Sequence, residues 1–191
     1  MAQALAGDLG KVPMSRGLGE ALQRAYGLAR EQGAPAVSLE HALLALTDDA
    51  DATSVLDACS IDNNRLRADI SGHIATWIAQ HGGAAPRNPQ PDAELLRVLQ
   101  GAGLAARQSP RKMVDGAIVL AAIVGDGKTA AAGVLRTHGL TFEEAIKVLR
   151  RASSHVGSQV GSQVASQVAP PAQPPPPQPV AVRRPDSRRL T

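Results

Sequence analysis

The chain has 191 residues, 20 Lys and Arg against 17 Asp and Glu, and only three aromatic residues, Tyr26, Trp77 and Phe142. With 34 alanines and so few rings, a core can form only by close packing of small side chains, which suits helices and not an aromatic-lined β-sandwich or barrel. A single cysteine, Cys59, excludes an internal disulfide and a multi-thiolate metal site. No apolar run approaches the roughly 18 residues of a membrane span, and the opening MAQALAGDLGKVPM lacks a basic leader with an apolar core, so the expected location is the cytoplasm.

Residues 1–14 show no helical period and are expected to form a flexible N-terminus. From about Ser15 to Gln32, Leu18, Leu22, Ala25 and Ala29 share one helical face, with Ser15 as N-cap and Gly33 as terminator. A second helix starts at Ser38 and carries Leu39, Leu43, Leu44 and Leu46, with Glu40 in its positively polarised first turn. A short third helix covers about Ala52 to Ala58, after Asp48, Asp49 and Asp51, whose spacing fits a solvated acidic loop and not an EF-hand. The fourth starts at Asp62 and uses Leu66, Ile70, Ile74 and Trp77, before a Gly- and Pro-rich linker from Gln80 to Pro91.

The second half repeats the first. A shift of 77 residues aligns Leu18 with Leu95, Leu22 with Leu99, Ala25 with Ala102, Ala29 with Ala106, Val37 with Val114, Leu43 with Leu120 and Leu46 with Ile123. After a slip of two residues, Val55 aligns with Val134, Leu56 with Leu135, Ile61 with Leu140 and Ile70 with Leu149. Asp92, Asp115, Thr129 and Thr141 are the predicted N-caps, and Thr141 with Glu144 fits a capping box. The predicted fold is all-α: a pseudo-twofold tandem repeat of two four-helix units, eight helices in all, over residues 15–151. Repeat one is 15–79, the linker 80–91 and repeat two 92–151.

Residues 152–191 read as a disordered tail, which holds eight of the 14 prolines: the units GSQV, GSQV and ASQV precede a Pro-rich stretch, then two arginine pairs. The valines recur every four residues, but the Gly and Ser of each unit oppose an isolated helix. Residues 1–156 carry 16 basic and 16 acidic side chains, so the net charge of +3 lies entirely in the tail, and contact with nucleic acid or an anionic membrane is expected only there.

Candidate chemistry is sparse. Gly125-Asp126-Gly127-Lys128-Thr129 ends like a P-loop, but Ala122 stands where the opening Gly is needed and the preceding residues read as helix, so no nucleotide is expected. Cys59 aligns with His138 at the end of the third helix of each repeat, a position open to polar exchange and not a constrained nucleophile. His41, His73, His81, His138 and His155 show no metal-ligand spacing. No catalytic residue, cofactor or metal is expected, and the chain is read as not an enzyme.

The run Gly33-Ala34-Pro35-Ala36-Val37-Ser38-Leu39-Glu40-His41-Ala42-Leu43-Leu44-Ala45-Leu46, followed by Ser54-Val55-Leu56-Asp57-Ala58-Cys59-Ser60-Ile61-Asp62, resembles the Clp repeat, the duplicated N-terminal domain of Clp-type AAA+ unfoldases. Val114-Asp115 through Ile123 and Gly133-Val134-Leu135-Arg136-Thr137-His138-Gly139-Leu140 repeat the pattern. The resemblance implies a non-catalytic protein-binding domain linked to regulated proteolysis or quality control, with a Clp adaptor, a Clp ATPase or a protease substrate as partner. The chain ends where an ATPase module would begin, so the expected protein is free-standing and lacks the unfolding motor.

In relatives from bacteria that mark proteins by arginine phosphorylation, the glutamate at the start of the second helix of each repeat helps hold the guanidinium. Glu40 matches it and is the candidate partner-binding residue; its counterpart in repeat two is Ala117. A first-turn glutamate also stabilises its helix unaided, by up to roughly 1 kcal/mol. The alternative function is a scaffold acting through the Pro- and Arg-rich tail.

Overall fold

Each predicted cap lies at a helix start in the computed structural model, which describes residues 13–81, 86–109 and 112–152. Ser15 accepts from the Leu18 amide at 3.1 Å and opens α1, Arg16–Glu31. Ser38 precedes α2, Leu39–Leu46, and Asp49 opens α3, Ala50–Ala58, two residues earlier than the sequence pattern suggests. Asp62 accepts from the Asn64 and Arg65 amides ahead of α4, Asn63–His81. Asp92, Asp115 and Thr129 each accept from the amide three residues on, opening α5, Ala93–Gln108, α6, Gly116–Asp126, and α7, Ala130–Thr137. Thr141 accepts from the Glu144 amide at 3.3 Å, as the box requires, and its hydroxyl donates to the Glu144 carboxylate at 3.1 Å, ahead of α8, residues 142–152. The described residues are thus all-helical, with two four-helix units in tandem. The predicted tail from 153 onward lies outside the described residues.

The shortest central helices carry the core. Every residue of α2 is buried, as are Gly116 to Ala121, Ile123 and Val124 of α6. A helix apolar on all sides needs neighbours on all sides: α2 packs on α1, α4, α5, α6 and α7, and α6 on α2, α3, α5 and α7. The amphipathic α1 and α5 bury Leu18, Leu22, Ala25 and Ala29, and Leu95, Leu99, Ala102 and Ala106, the residues that the duplication pairs. Alanine at half of these positions lets the helix axes approach closely.

Two crossed backbone joints lock the repeats together. Met14 pairs with Val114 and Val37 with Pro91, each in a single-residue parallel bridge. Ser15 N–H donates to the Val114 carbonyl at 2.8 Å, and Val114 N–H to the Pro13 carbonyl at 2.9 Å. At the other joint Asp92 N–H donates to the Val37 carbonyl at 3.0 Å, and Val37 N–H to the Gln90 carbonyl at 2.9 Å. The second set is the first with the repeats exchanged. Pro13 and Met14, assigned from sequence to a free N-terminus, and Gln90 and Pro91, assigned to a linker, are therefore tied into the fold.

The joints bring helix N-termini together in pairs, α1 beside α6 and α2 beside α5. At the first pair sits the Asp49 carboxylate, which the sequence places in a solvated loop. It is buried, at 3% exposure, because it caps α3 through Ala52 N–H and also faces the first turns of α1 and α6. One oxygen approaches Gly116 so closely that a Cβ there would lie 1.9 Å from it, and the other would lie 2.6 Å from a Cβ on Gly17. An anion at three helix N-termini is electrostatically favoured, and both glycines are required to admit it. Asp48, by contrast, stays near the surface and pairs with Arg67.

Gly116→Ala should therefore lower stability by about 1–3 kcal/mol, as overpacking does. Gly27→Ala, in an α1 turn where a Cβ meets nothing within 4 Å, should raise it by about 0.5–1 kcal/mol. Urea unfolding of both variants reads the contrast, and equal midpoints would show that Asp49 gives way freely.

Candidate protein-binding surface

The second joint places Glu40 where two helices begin. The residue is 6% exposed, not on open surface as its first-turn position suggests, and among the described residues it has no cationic partner. Asp92, the α5 cap, lies close by. Burial pushes the Asp92 carboxyl up, and the Glu40 and Glu94 carboxylates push it further, against the opposing hydrogen bond from Leu95 N–H. The pair of helix N-termini tolerates this crowding of negative charge, because their unpaired amides are its natural complement. At the equivalent place in repeat two stands Ala117, a buried methyl.

Beside Glu40, His41 is completely buried. Its Nδ1 accepts from Ser38 N–H at 3.2 Å and lies 2.8 Å from Ser38 Oγ, so the ring takes the role that Glu or Gln has in a capping box. That bond leaves the proton on Nε2, which has no hydrogen-bond partner among the described residues. Trp77 of α4 meets the His41 ring edge-on, with centroids 6.3 Å apart, and stacks on His81 at 5.4 Å. Burial lowers the His41 pKa below 6.5, and Glu40 offsets this only in part.

Among the described residues, repeat two is less completely covered. A groove of about 920 Å³ runs between α3, α5, α6 and α8, with Val98 and Gly101 on one wall, Ala117, Ile118 and Ala121 on its floor, and Leu149 along the far side. Phe142, 48% exposed, closes one end and packs closely over Gly125, where a Cβ would lie 3.0 Å from its ring. An ion pair between Arg97 and Asp126 at 3.1 Å bridges α5 and α6 at the rim. No sequence motif marks the groove, because its walls come from four helices spread over residues 50–152.

Each of the remaining candidates has a local structural role. Gly125 to Thr129 is a helix-to-helix turn: Gly127, at φ 66°, ends α6, Thr129 caps α7, and Arg136 donates to the Gly127 carbonyl at 2.8 Å. Cys59 ends α3, where burial and then Glu144 push its thiol pKa up, away from a reactive thiolate. His138 is bonded to Asp69 of α4 at 2.8 Å. No cluster of three metal-binding side chains is present among the described residues.

The duplicated helix units, crossed joints and repeat caps form one pattern, and the Clp repeat (R) N-terminal domain family matches residues 13–138. The chain belongs to this family. A ClpA homolog protein of Fuscovulum blasticum is 32% identical over 136 residues, 69% of this chain, and the chain spans 17% of that relative's length. Among solved structures, the N-terminal domain of the ClpV1 ATPase from the E. coli EAEC Sci1 type VI secretion system aligns with 76% of this chain and 88% of its own, at 17% identity and a TM-score of 0.62. The ClpV N-domain in complex with a VipB peptide aligns with 76% of this chain and 91% of its own, at 18% identity and a TM-score of 0.57. At these identities the structures share the fold. Within this Clp repeat domain no single described helix is long and apolar enough to cross a membrane, and the apolar pair α6 and α7 is bent by 99°.

The buried His41 gives the Clp repeat domain a pH dependence of known sign. The unfolded chain takes up a proton near pH 6.5 that the folded one resists, so stability falls as the pH drops below that value. Asp92, with a raised folded pKa, acts oppositely at lower pH. His41→Gln keeps an N3 acceptor for Ser38 N–H without the titration. Between pH 7 and pH 5 the wild type should lose more stability than His41→Gln in denaturant titrations; parallel losses would remove His41 as the cause.

Proposed function

We propose that this Clp repeat domain, over residues 15–151, is a non-catalytic module that captures protein segments for Clp-linked proteolysis or quality control in the cytoplasm. Its partner is a Clp adaptor, a Clp ATPase or a protease substrate. The observation that carries this reading is membership of the Clp N-terminal domain family over residues 13–138. A structure of the same fold, the ClpV N-domain, in complex with a VipB peptide, supports it. A non-catalytic role accords with the partners of these groups: burial and Glu144 push the Cys59 thiol pKa up, His138 is bonded to Asp69, and Gly125 to Thr129 form a helix-to-helix turn.

Within this reading Glu40 recognises a cationic group on the partner, most simply a guanidinium. Glu40 is 6% exposed, and a carboxylate that lies in a largely buried residue without a cation beside it interacts strongly with one that arrives. The recognition is one-sided, because Ala117 offers no charge at the matching place in repeat two. The core positions of the duplication are shared and the polar ones are not.

The test is a binding assay with an unfolded substrate protein and Clp adaptors against the wild type, Glu40→Ala and Ala117→Glu. Loss of the carboxylate should weaken binding at least about fivefold, as loss of a charge-assisted hydrogen bond does. Equal affinities in all three proteins would remove Glu40 from the site, and no binding by any of them would overturn the module reading.

A further inference from the structure

We infer that Glu40 and Asp92 form one cation site across the second joint, with one carboxylate from each repeat, and that this site takes a guanidinium carrying no phosphate or other anionic group. The inference rests on the reading of Glu40 given above and adds its second carboxylate and the charge class of its ligand.

The joint fixes the placement. Asp92 N–H donates to the Val37 carbonyl at 3.0 Å and Val37 N–H to the Gln90 carbonyl at 2.9 Å, so the cap of α5 lies against the turn that opens α2, where Glu40 stands. Asp92 is half-buried and open to a ligand. Glu40 is more than nine-tenths buried, and among the described residues its carboxylate has neither a hydrogen bond nor an ion pair. The fully sealed side-chain atoms without a partner among the described residues are His41 Nε2 and Asn63 Oδ1, so the unpaired Glu40 oxygens are still reachable.

Two like charges held together where water is scarce oppose folding until a countercharge joins them. None of the described cations supplies it: Arg16, Arg67 and Arg97 pair with Glu20, Asp48 and Asp126, and burial keeps the adjacent His41 neutral. The backbone of the joint does not require the pair either. At the first joint the same two positions hold Ser15 and Ala117, a hydroxyl cap and a methyl group. The two carboxylates belong to the second joint alone, and a cation from outside the chain completes them.

Their surroundings also select among cations. A guanidinium presents five N–H donors in one plane, enough to meet a carboxylate on each of two edges. A negative group attached to it finds no welcome at the α5 start. The Leu95 amide, at 2.7 Å, and the Glu94 amide already donate to Asp92, and the Glu94 carboxylate adds a third negative charge beside it. Like-charge rejection of this kind sets specificity as firmly as attraction does.

The experiment uses the full chain and three small probes: N-acetylarginine amide, its neutral isostere N-acetylcitrulline amide, and N-acetylphosphoarginine amide. Each is titrated while the backbone amide signals of residues 38–41 and 92–95 are followed by NMR. The arginine probe should shift both groups of signals saturably, and the other two should bind at least about tenfold more weakly. Glu40→Gln and Asp92→Asn should each weaken the arginine probe at least about fivefold. Asn is as good a cap as Asp, so Asp92→Asn should match or exceed the wild-type urea midpoint while binding falls, a combination that a purely structural Asp92 would not give. Asp92→Ser, with the residue type of the first joint, repeats the test with a second cap. Binding lost in Glu40→Gln but unchanged in both Asp92 variants would overturn the inference and leave the Glu40 reading standing. Phosphoarginine bound as tightly as arginine, no saturable shift with arginine, or weaker binding with a lower midpoint in both Asp92 variants would each overturn it as well. The wider protein-binding reading stands or falls separately, on the adaptor and substrate assay above.

Discussion

The fold depends on the crossed backbone joints. Residues that enter repeat one hydrogen-bond to Val114 of repeat two, and residues that enter repeat two hydrogen-bond to Val37 of repeat one. Neither four-helix unit closes its own first turn. Helices of 8 to 19 residues are marginal alone in water, and the shortest, such as α2 and α7, have no stability outside a packed setting. The joints supply that setting by bringing α2 and α6, each apolar nearly all round, to the middle of one shared core.

Because the joints pair helix starts, they concentrate positive backbone charge at two buried places, and acidic residues gather there for that reason. At one place the acidic residues are Asp115, the α6 cap, and Asp49, which Gly17 and Gly116 admit. At the other they are Asp92 and Glu40, where Leu39 and Glu94 stand at the positions that match Gly116 and Gly17. The same backbone requirement has thus been met with different side chains. One place is a closed structural cap and the other leaves a carboxylate without a cation, and this difference makes Glu40 a candidate contact.

A second asymmetry lies at the last helix of each repeat. In repeat one α4 covers the core with Ile74 and Trp77, and Trp77 shields the neutral His41 that holds Ser38. In repeat two the corresponding floor of Ala117, Ile118 and Ala121 lies beneath a groove. The two halves share a skeleton and present different surfaces, a carboxylate beside one joint and an apolar trough beside the other. For a binding module this is the useful outcome of duplication: packing residues are constrained in both copies, and surface residues diverge.

Much of this was legible in the chain itself. Helical period, N-caps such as Ser15, Asp92, Asp115 and Thr129, and the 77-residue repeat depend on residues within a few positions of one another or on comparison of one half with the other, so they can be read without coordinates. Burial of Asp49 and Glu40, the tying down of Pro13 and Pro91, and the groove could not be read in that way. Asp49 looks like part of a solvated acidic run because its neighbours Asp48 and Asp51 are acidic, and only the approach of α1 and α6 removes it from water. The sequence alone determined where helices start and which faces are apolar, because capping and periodicity are local. The tertiary structure decided which helix starts face one another and which apolar face stays uncovered, because those depend on hydrogen bonds and packing between segments 50 to 100 residues apart.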